Sequence, residues 1–336
     1  MSSVKNLIVP VFITHRGCPH QCVFCNQEKI TGLVHVPTLD EVREYLSKHL
    51  SHDTPHAVIA FYGGSFTGLP EPEQEGYLAA AGDFVARGFA SGIRLSTRPD
   101  YMDTGKATFL KRHGVKVVEL GVQSMDDAVL KASGRGHAGA DVHRASGAIR
   151  AAGLELGIQL MAGLPTDTPE IFHDSVEAVI SIRPDFVRIY PTLVVKNSPL
   201  ETLWRRGEYV PLGLDEAVSL CADAVKRFRA EGIRVVRLGL QPSRELEDGL
   251  LAGPYHPAFG HLVDSLIALE RMKAAINDAA PGLTEAVFVV NPSELSVYKG
   301  IKGENIEKLR ACREGLSIAV RPDGMVEKGG LTHTFK

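Results

Sequence analysis

Cysteine and tryptophan are scarce in this chain: five and one among 336 residues. So few cysteines, without pairing spacings, exclude a fold stapled by disulfides and point to a reducing compartment. Long apolar runs are missing too, and none reaches the roughly 20 residues that a membrane-spanning helix needs. The start Met1-Ser2-Ser3-Val4-Lys5-Asn6 lacks the charged-then-apolar pattern of a signal peptide. A cytoplasmic location is therefore expected. Nor is there an excess of charge of one sign. The formal net charge of -3 gives no global attraction to nucleic acid, so any such contact needs a local basic patch. No internal repeat or low-complexity tract is visible. What remains is 44% hydrophobic and 23% charged, ordinary for a soluble globular protein. The length suits one large domain and a small one.

Short β-branched runs alternate with longer amphipathic stretches. They predict strands over residues 7–13, 57–62, 92–97, 115–121, 154–161, 185–190 and 233–240, and helices over 39–50, 73–87, 141–152, 170–181 and 215–230. Thr38 with Glu41 reads as a capping box, and Pro169 suits a first helical position. Strand runs without strict alternation, each followed by a helix, indicate an α/β fold with a parallel sheet buried on both faces. Six or seven such units fit a full or partial barrel, although a doubly wound sheet shares the pattern. In both, active sites gather at the C-terminal strand ends, where this chain places its glycines and polar residues. The rhythm changes after Gln241. Residues 1–241 are expected to form the barrel, 242–258, rich in proline and glycine, a linker, and 259–336 a small α+β domain.

Three of the five cysteines fall within eight residues, in Arg16-Gly17-Cys18-Pro19-His20-Gln21-Cys22-Val23-Phe24-Cys25. A cubic iron-sulfur cluster normally takes four thiolates. Cys18, Cys22 and Cys25 would leave one iron open, and an open metal position is where chemistry can happen. The rivals are a Cys3His zinc site completed by His20 or His15 and a chance gathering of small buried hydrophobes. Zinc sites usually come as two short pairs, and no second pair exists. Cys221 and Cys312, in or near predicted helices, read as packing residues.

The cysteine run resembles the cluster-binding loop of the radical S-adenosylmethionine (radical SAM) superfamily, in which the free iron chelates the amino and carboxylate groups of S-adenosylmethionine. Phe24 matches the aromatic usual before the last cysteine and is expected at the adenine edge. The turn Tyr62-Gly63-Gly64-Ser65-Phe66-Thr67 resembles the one that holds the amino group, which nominates Gly63, Gly64 and Ser65. Ser96-Thr97-Arg98-Pro99-Asp100 agrees and adds Thr97. Glu119-Leu120-Gly121-Val122-Gln123-Ser124 and Ser133-Gly134-Arg135-Gly136-His137 are similar to oxygen-independent coproporphyrinogen oxidases and Elongator catalytic subunits. There a glutamine after strand four meets the ribose and an arginine twelve residues on grips the carboxylate. Gln123 and Arg135 have that spacing, and Gln159 joins them at the ribose. A guanidinium fork matches two carboxylate oxygens; the plain alternative is a surface arginine at a helix start.

Val187-Arg188-Ile189-Tyr190-Pro191-Thr192-Leu193-Val194, with Pro199 to Trp204 and Gly207-Glu208-Tyr209, narrows the likeness to Elongator catalytic subunits over about residues 7–241. The cysteine loop is more compact than theirs, and 336 residues leave no room for their acetyltransferase domain beside the barrel, so their reaction is not carried over. The resemblance implies a partial (β/α)6-type TIM barrel, a 4Fe-4S cluster and an electron donor such as flavodoxin or ferredoxin. It also implies S-adenosylmethionine cleaved to methionine and a 5′-deoxyadenosyl radical. Tyr190, Lys196, Arg237 and Gln241 are candidates for the substrate side.

Near the C-terminus, Lys299-Gly300-Ile301-Lys302-Gly303 places G-x-x-G between two predicted helices. It resembles the GXXG loop of KH domains, which clamps a nucleic-acid backbone, and the small domain is accordingly expected to be KH-like. Lys299 and Lys302 supply local positive charge; an ordinary helix turn is the alternative. The expected activity is radical modification of a substrate, tRNA or another RNA on this evidence, or a small metabolite by kinship to the porphyrinogen oxidases. The non-enzymatic reading is a nucleic-acid-binding protein with a structural or redox-sensing cluster. It has no use for a carboxylate clamp.

Overall fold

The computed structural model describes residues 7–13, 16–26, 35–279, 282–313 and 315–336. Two compact units emerge, one of residues up to Gly213 with Arg227–Tyr255, the other of Leu214–Lys226 with His256–Lys336.

The first unit is built on seven strands: β1 (Ile8–Phe12), β2 (Val58–Tyr62), β3 (Gly92–Thr97), β4 (Val115–Gln123), β5 (Glu155–Ala162), β6 (Phe186–Pro191) and, after the two-residue β7 (Val194–Val195), β8 (Arg234–Leu238). They lie side by side in chain order and every pairing is parallel. Helices cover the crossovers: α1 (Leu39–His49), α2 (Glu71–Ala86), α3 (Thr104–Arg112), α4 (Asp127–Ala132), α5 (Gly139–Ala151), α6 (Pro169–Ile182) and α7 (Pro199–Arg205), while α8 (Leu214–Ala230) belongs to the second unit as far as Lys226. Stepping one place in the same direction at each crossover curls the sheet into a partial TIM barrel. Side chains alternate across each strand. One set, including Ile59, Phe61, Ile93, Leu95, Val118, Leu120, Ile158 and Ile189, is fully buried and apolar. The other set, described below, is polar.

The predicted strands and helices are all present, with ends shifted by a few residues. The capping box at Thr38 and Glu41 forms as expected. Helices α3, α4 and α7, six to nine residues long, were too short for a period to show. Residues 242–258, read as a linker, hold α9 (Arg244–Gly249) and β9 (Leu250–Ala252), and β9 pairs antiparallel with β7. Strands of two and three residues leave no alternation to read. Cys221 is buried as a packing residue, whereas Cys312 is exposed and does not pack.

In the second unit, α10 (Phe259–Asn277) is followed by β10 (Glu285–Val290), α11 (Leu295–Lys299), α12 (Glu304–Cys312), β11 (Ser317–Pro322) and β12 (Leu331–Phe335). β10 is central, parallel to β11 and antiparallel to β12. Its core gathers Met272, Phe288, Val290, Tyr298, Leu309 and Ile318. The G-x-x-G turn joins α11 to α12, with Gly300, Lys302 and Gly303 at φ of 75°, 54° and 86°. Buried Asn305 pins it by donating to Ser265 O (2.9 Å) and Tyr298 O (3.2 Å).

Candidate cofactor site

The cysteine loop is held by backbone. A Cβ on Gly64 would sit 2.2 Å from Arg16 O, one on Gly17 2.1 Å from Ser65 O, and one on Gly68 2.1 Å from Gly17 O. Only glycine permits these approaches. Ser65 N donates to Arg16 O (2.9 Å), Val23 N to Ser133 O (3.1 Å), Leu200 N to Val23 O (2.8 Å), and Asn26 Nδ2 to Lys196 O (2.8 Å). Segments following β2, β4 and β6 thus grip one short loop. Gly64, nominated for the methionine amino group, serves here as a seat for the cysteine-loop backbone.

Cys18 is exposed, Cys25 half-buried and Cys22 buried. Burial of its sulfur pushes the Cys18 thiol up, neighbouring Cys22 adds to this, and Arg98 and Arg135 oppose it. Among the described residues no three His, Cys, Asp or Glu side chains converge on a common metal position, and His15 lies outside the described residues. The surroundings nevertheless suit a sulfur-rich anionic group. Arg135 Nη1 donates to Cys22 Sγ at 3.2 Å, while Arg135 Nε and Arg98 Nη1 are buried without a partner among the described residues. Soft thiolates select iron-sulfur clusters and similar soft metals, and unsatisfied guanidinium N–H groups fit the charge of such a cluster.

Arg135 also donates to Gly121 O. Arg98 holds Asp100 through Nε and Nη2, at 2.9 and 3.0 Å, and donates to Arg135 O. Gln123 sits at φ 72°, a strained value for a residue with a side chain, just past a register shift in β4. Gln159 Nε2 donates to its Oε1 at 3.2 Å. The hydroxyls of Ser65 and Thr67 both meet that of buried Thr97, at 3.0 and 2.5 Å, tying the turn at Gly63 and Gly64 to β3. Six of the nominated cofactor residues, Gly64, Ser65, Thr97, Gln123, Arg135 and Gln159, therefore cluster at the C-terminal ends of β2 to β5.

Below them lies a buried network that motif reading missed. Glu119, 4% exposed, forms ion pairs with Arg94 (Nε at 3.1 Å) and Arg188 (Nε at 2.8 Å), neither Nε being aligned for a hydrogen bond, and accepts the Tyr62 hydroxyl at 2.7 Å. Arg188 also donates to Tyr62 Oη (3.0 Å) and Tyr190 Oη (3.4 Å). Burial works against the charge of Arg188, but Glu119, Tyr62 and Tyr190 more than offset it and hold the guanidinium protonated. The Tyr62 phenol is pushed up by burial first and by Glu119 second. Two guanidiniums share one carboxylate, so the lumen keeps a net positive charge. The signal was present in sequence as a charged residue inside each of three strands, Arg94, Glu119 and Arg188.

Phe24 is half-buried against the cluster of Val129, Met161 and Leu164, on which Tyr190 also packs. Lys196 is exposed and donates to Asp248 O (2.7 Å), Arg237 donates to Gly239 O (3.1 Å), and Gln241 is exposed. Of the four substrate candidates, only Tyr190 joins the lumen network. A second missed residue is Asp167, after β5. Its Oδ2 accepts Gly163 N (3.0 Å), and its Oδ1 is buried without a partner among the described residues. Burial raises this carboxyl to about 6, against the backbone N–H groups of Gly163, Leu164 and Thr168.

Glu119→Gln leaves two buried guanidiniums uncompensated and should cost about 3–5 kcal/mol in urea unfolding; a loss below about 1 kcal/mol would show that the guanidiniums are solvated. Asp167 has a folded pKa above its unfolded value of about 3.9, so its neutral form favours the folded state at low pH, and this is lost as pH rises from 4 through 6. The stability of the wild type relative to Asp167→Asn should therefore fall between pH 4 and 7. A difference flat across that range would exclude ionisation of Asp167 as its source.

Comparison with known proteins bears on this geometry. Residues 12–179, half the chain, match the Radical SAM superfamily, and residues 184–268 match the Radical SAM C-terminal domain. A tRNA uridine(34) acetyltransferase from Methanocaldococcus infernus is 25% identical over 286 residues, covering 72% of this chain and 53% of its own length. Elongator complex protein 3 from Mus musculus is 26% identical over 199 residues, covering 52% and 36%. The chain thus spans about half the length, or less, of these relatives. The solved structure of archaeal Elp3 from Methanocaldococcus infernus, with residues 1–46 deleted, superposes with a TM-score of 0.61 at 20% identity over 80% of this chain and 64% of that one, so the two share a fold. A superfamily match across half the residues, on a parallel part-barrel of that fold, leaves one assignment: this chain belongs to the radical SAM superfamily of enzymes.

Proposed function

We propose that the protein binds a 4Fe-4S cluster and S-adenosylmethionine and modifies RNA, with tRNA the first candidate. The observation that carries this reading is the shared seat of the cysteine loop and the Gln123, Gln159 and Arg135 set on neighbouring strand ends. Cys18, Cys22 and Cys25 would hold the cluster, and Arg98 and Arg135 would offset its negative charge. Reduced by a donor such as flavodoxin or ferredoxin, a cluster of this kind supplies a 5′-deoxyadenosyl radical from S-adenosylmethionine. Gly63 and Ser65 orient the methionine end, with Thr97 fixing Ser65. Gln123 and Gln159 present amides to the ribose, and Phe24 offers a ring edge to the adenine. Tyr190 accepts a hydrogen bond from Arg188, which leaves its own O–H to donate to a substrate acceptor.

Two observations favour RNA. One is that the curated relative from Methanocaldococcus infernus is a tRNA uridine(34) acetyltransferase. The other is the second unit, in which β10, α11, the Gly300–Gly303 turn, α12 and β11 follow in order, with Lys299 and Lys302 exposed beside the glycines. We read this as a KH-like backbone clamp that Asn305 keeps in shape.

Anaerobically reconstituted protein should carry about four irons per chain and release 5′-deoxyadenosine from S-adenosylmethionine with a strong reductant. Cys22→Ala should lose both. Stoichiometric zinc with no iron uptake would overturn the reading. The double variant Lys299→Glu, Lys302→Glu should weaken RNA binding and reduce its salt slope by about 1–2, while iron content stays unchanged. Equal RNA affinity in the variant would leave the turn a structural element only.

A further inference from the structure

Strand β8 carries one residue more than its pairing with β6 needs. Val187 pairs with Val235, but the next pair is Arg188 with Arg237, so Val236 is an extra residue in β8 and stands exposed. Without it, the two-residue period of a strand would set Arg237 beside Ile189, on the helix-facing side of the sheet. With it, Arg237 shares a face with Arg188 and belongs to the lumen. That face is fixed at the previous inward pair, where Arg234 meets Phe186 and its guanidinium carbon lies 5.9 Å from the centre of the Phe186 ring. Bulges occur beside active sites, where they re-aim a side chain.

Like charges on paired positions of neighbouring strands repel, and the surrounding groups do not relieve this pair. Arg94, Arg188 and Arg237 face one carboxylate, Glu119, which already forms ion pairs with the first two. Nearer the start of the strands, Glu155 is engaged by Arg234 at 2.8 Å. Arg237 is half-buried and has no carboxylate partner among the described residues. Its Nε donates to Gly239 O at 3.1 Å, and its Nη groups have no partner in the same set. Arg188 keeps 17% of its side-chain surface exposed. Tyr190, half-buried beside it, accepts from Arg188 and keeps its own O–H to donate. A charge that only guards a sheet edge needs no particular register; this one is brought opposite another arginine by a bulge.

What this corner of the lumen lacks is an anion with several acceptor oxygens. We propose that Arg188, Arg237 and Tyr190 form an anion-binding site that takes a phosphate or carboxylate group of the substrate. A guanidinium fork matches two such oxygens, and the phenol adds a neutral donor. The anion site stands on register and charge; that its occupant is the substrate of a radical reaction rests on the function proposed above. A backbone phosphate of RNA and the acid group of a small substrate offer the same chemistry.

Calorimetric titration of the reconstituted protein with inorganic phosphate, with and without saturating S-adenosylmethionine, tests this. The wild type should bind phosphate in both cases. Arg237→Gln should weaken binding by about ten- to a hundredfold and Tyr190→Phe by about two- to tenfold, the losses typical of a charged and a neutral hydrogen bond. Arg237→Gln removes a repulsion, so its urea midpoint in phosphate-free buffer should equal or exceed that of the wild type. Displacement of phosphate by a short oligoribonucleotide identifies the group as an RNA phosphate; no displacement assigns it to a small substrate. Iron content and 5′-deoxyadenosine release, measured on the same samples, report failure of the cofactor reading separately. No phosphate binding by the wild type, unchanged affinity in Arg237→Gln, or displacement of phosphate by S-adenosylmethionine, which would put the cofactor's own carboxylate in the site, would overturn the proposal.

Discussion

Backbone packed on backbone is the constraint from which the rest follows. Where residues 16–17 cross residues 64–68, no Cβ fits on Gly17, Gly64 or Gly68, and the chains lie closer than side chains would allow. Such contact fixes position without a disulfide or a large core, and it is unforgiving, since an added methyl meets a carbonyl rather than a flexible side-chain tip. Three cysteines of different exposure, on a loop too short to form its own structure, take their placement from glycines some fifty residues away. The hydrogen bonds from Val23 and Leu200 close the loop from its other side.

The barrel interior departs from that of an ordinary TIM barrel, whose lumen is filled by layers of branched apolar side chains. Here the helix-facing side of the sheet carries the apolar packing, and the lumen holds Glu119 with Arg94, Arg188 and Tyr62. Burying such a group is expensive, and its Coulombic return depends on geometry. What it supplies is fixed orientation: the Tyr190 hydroxyl is located by Arg188, which is located by Glu119. The ring of Phe186 fills the space left by Gly157 and lies 4.8 Å from the Arg94 guanidinium carbon, closing the layer from beneath.

Much of this was legible in sequence where a pattern repeats or a motif is local. β2 and β3 declare themselves by β-branched runs, and the cysteine loop by spacing alone. The Glu119 network was not legible, because its four members come from four strands and meet only through the parallel register. The antiparallel pairing of β7 with β9 was hidden for a related reason: five residues in all carry it, and proline and glycine nearby read as breaks. Lys196 and Gln241 were nominated for the substrate side, yet both stand at the surface, just past β7 and β8. Arg135 was nominated for a carboxylate, and its guanidinium reaches a cysteine sulfur, a contact that spacing does not encode.

The ordered stretch between Arg244 and Ala252 bears on how the chain ages in solution. A helix capped by Ser243, followed by a strand paired to β7 and by Lys196 N bonded to Gly249 O, presents few of the extended, unpaired residues that an endoprotease must thread through its cleft. Composition marks this place as the weak joint. Its hydrogen bonds make it a poor one to cut, and nicking there would first require β9 to leave β7.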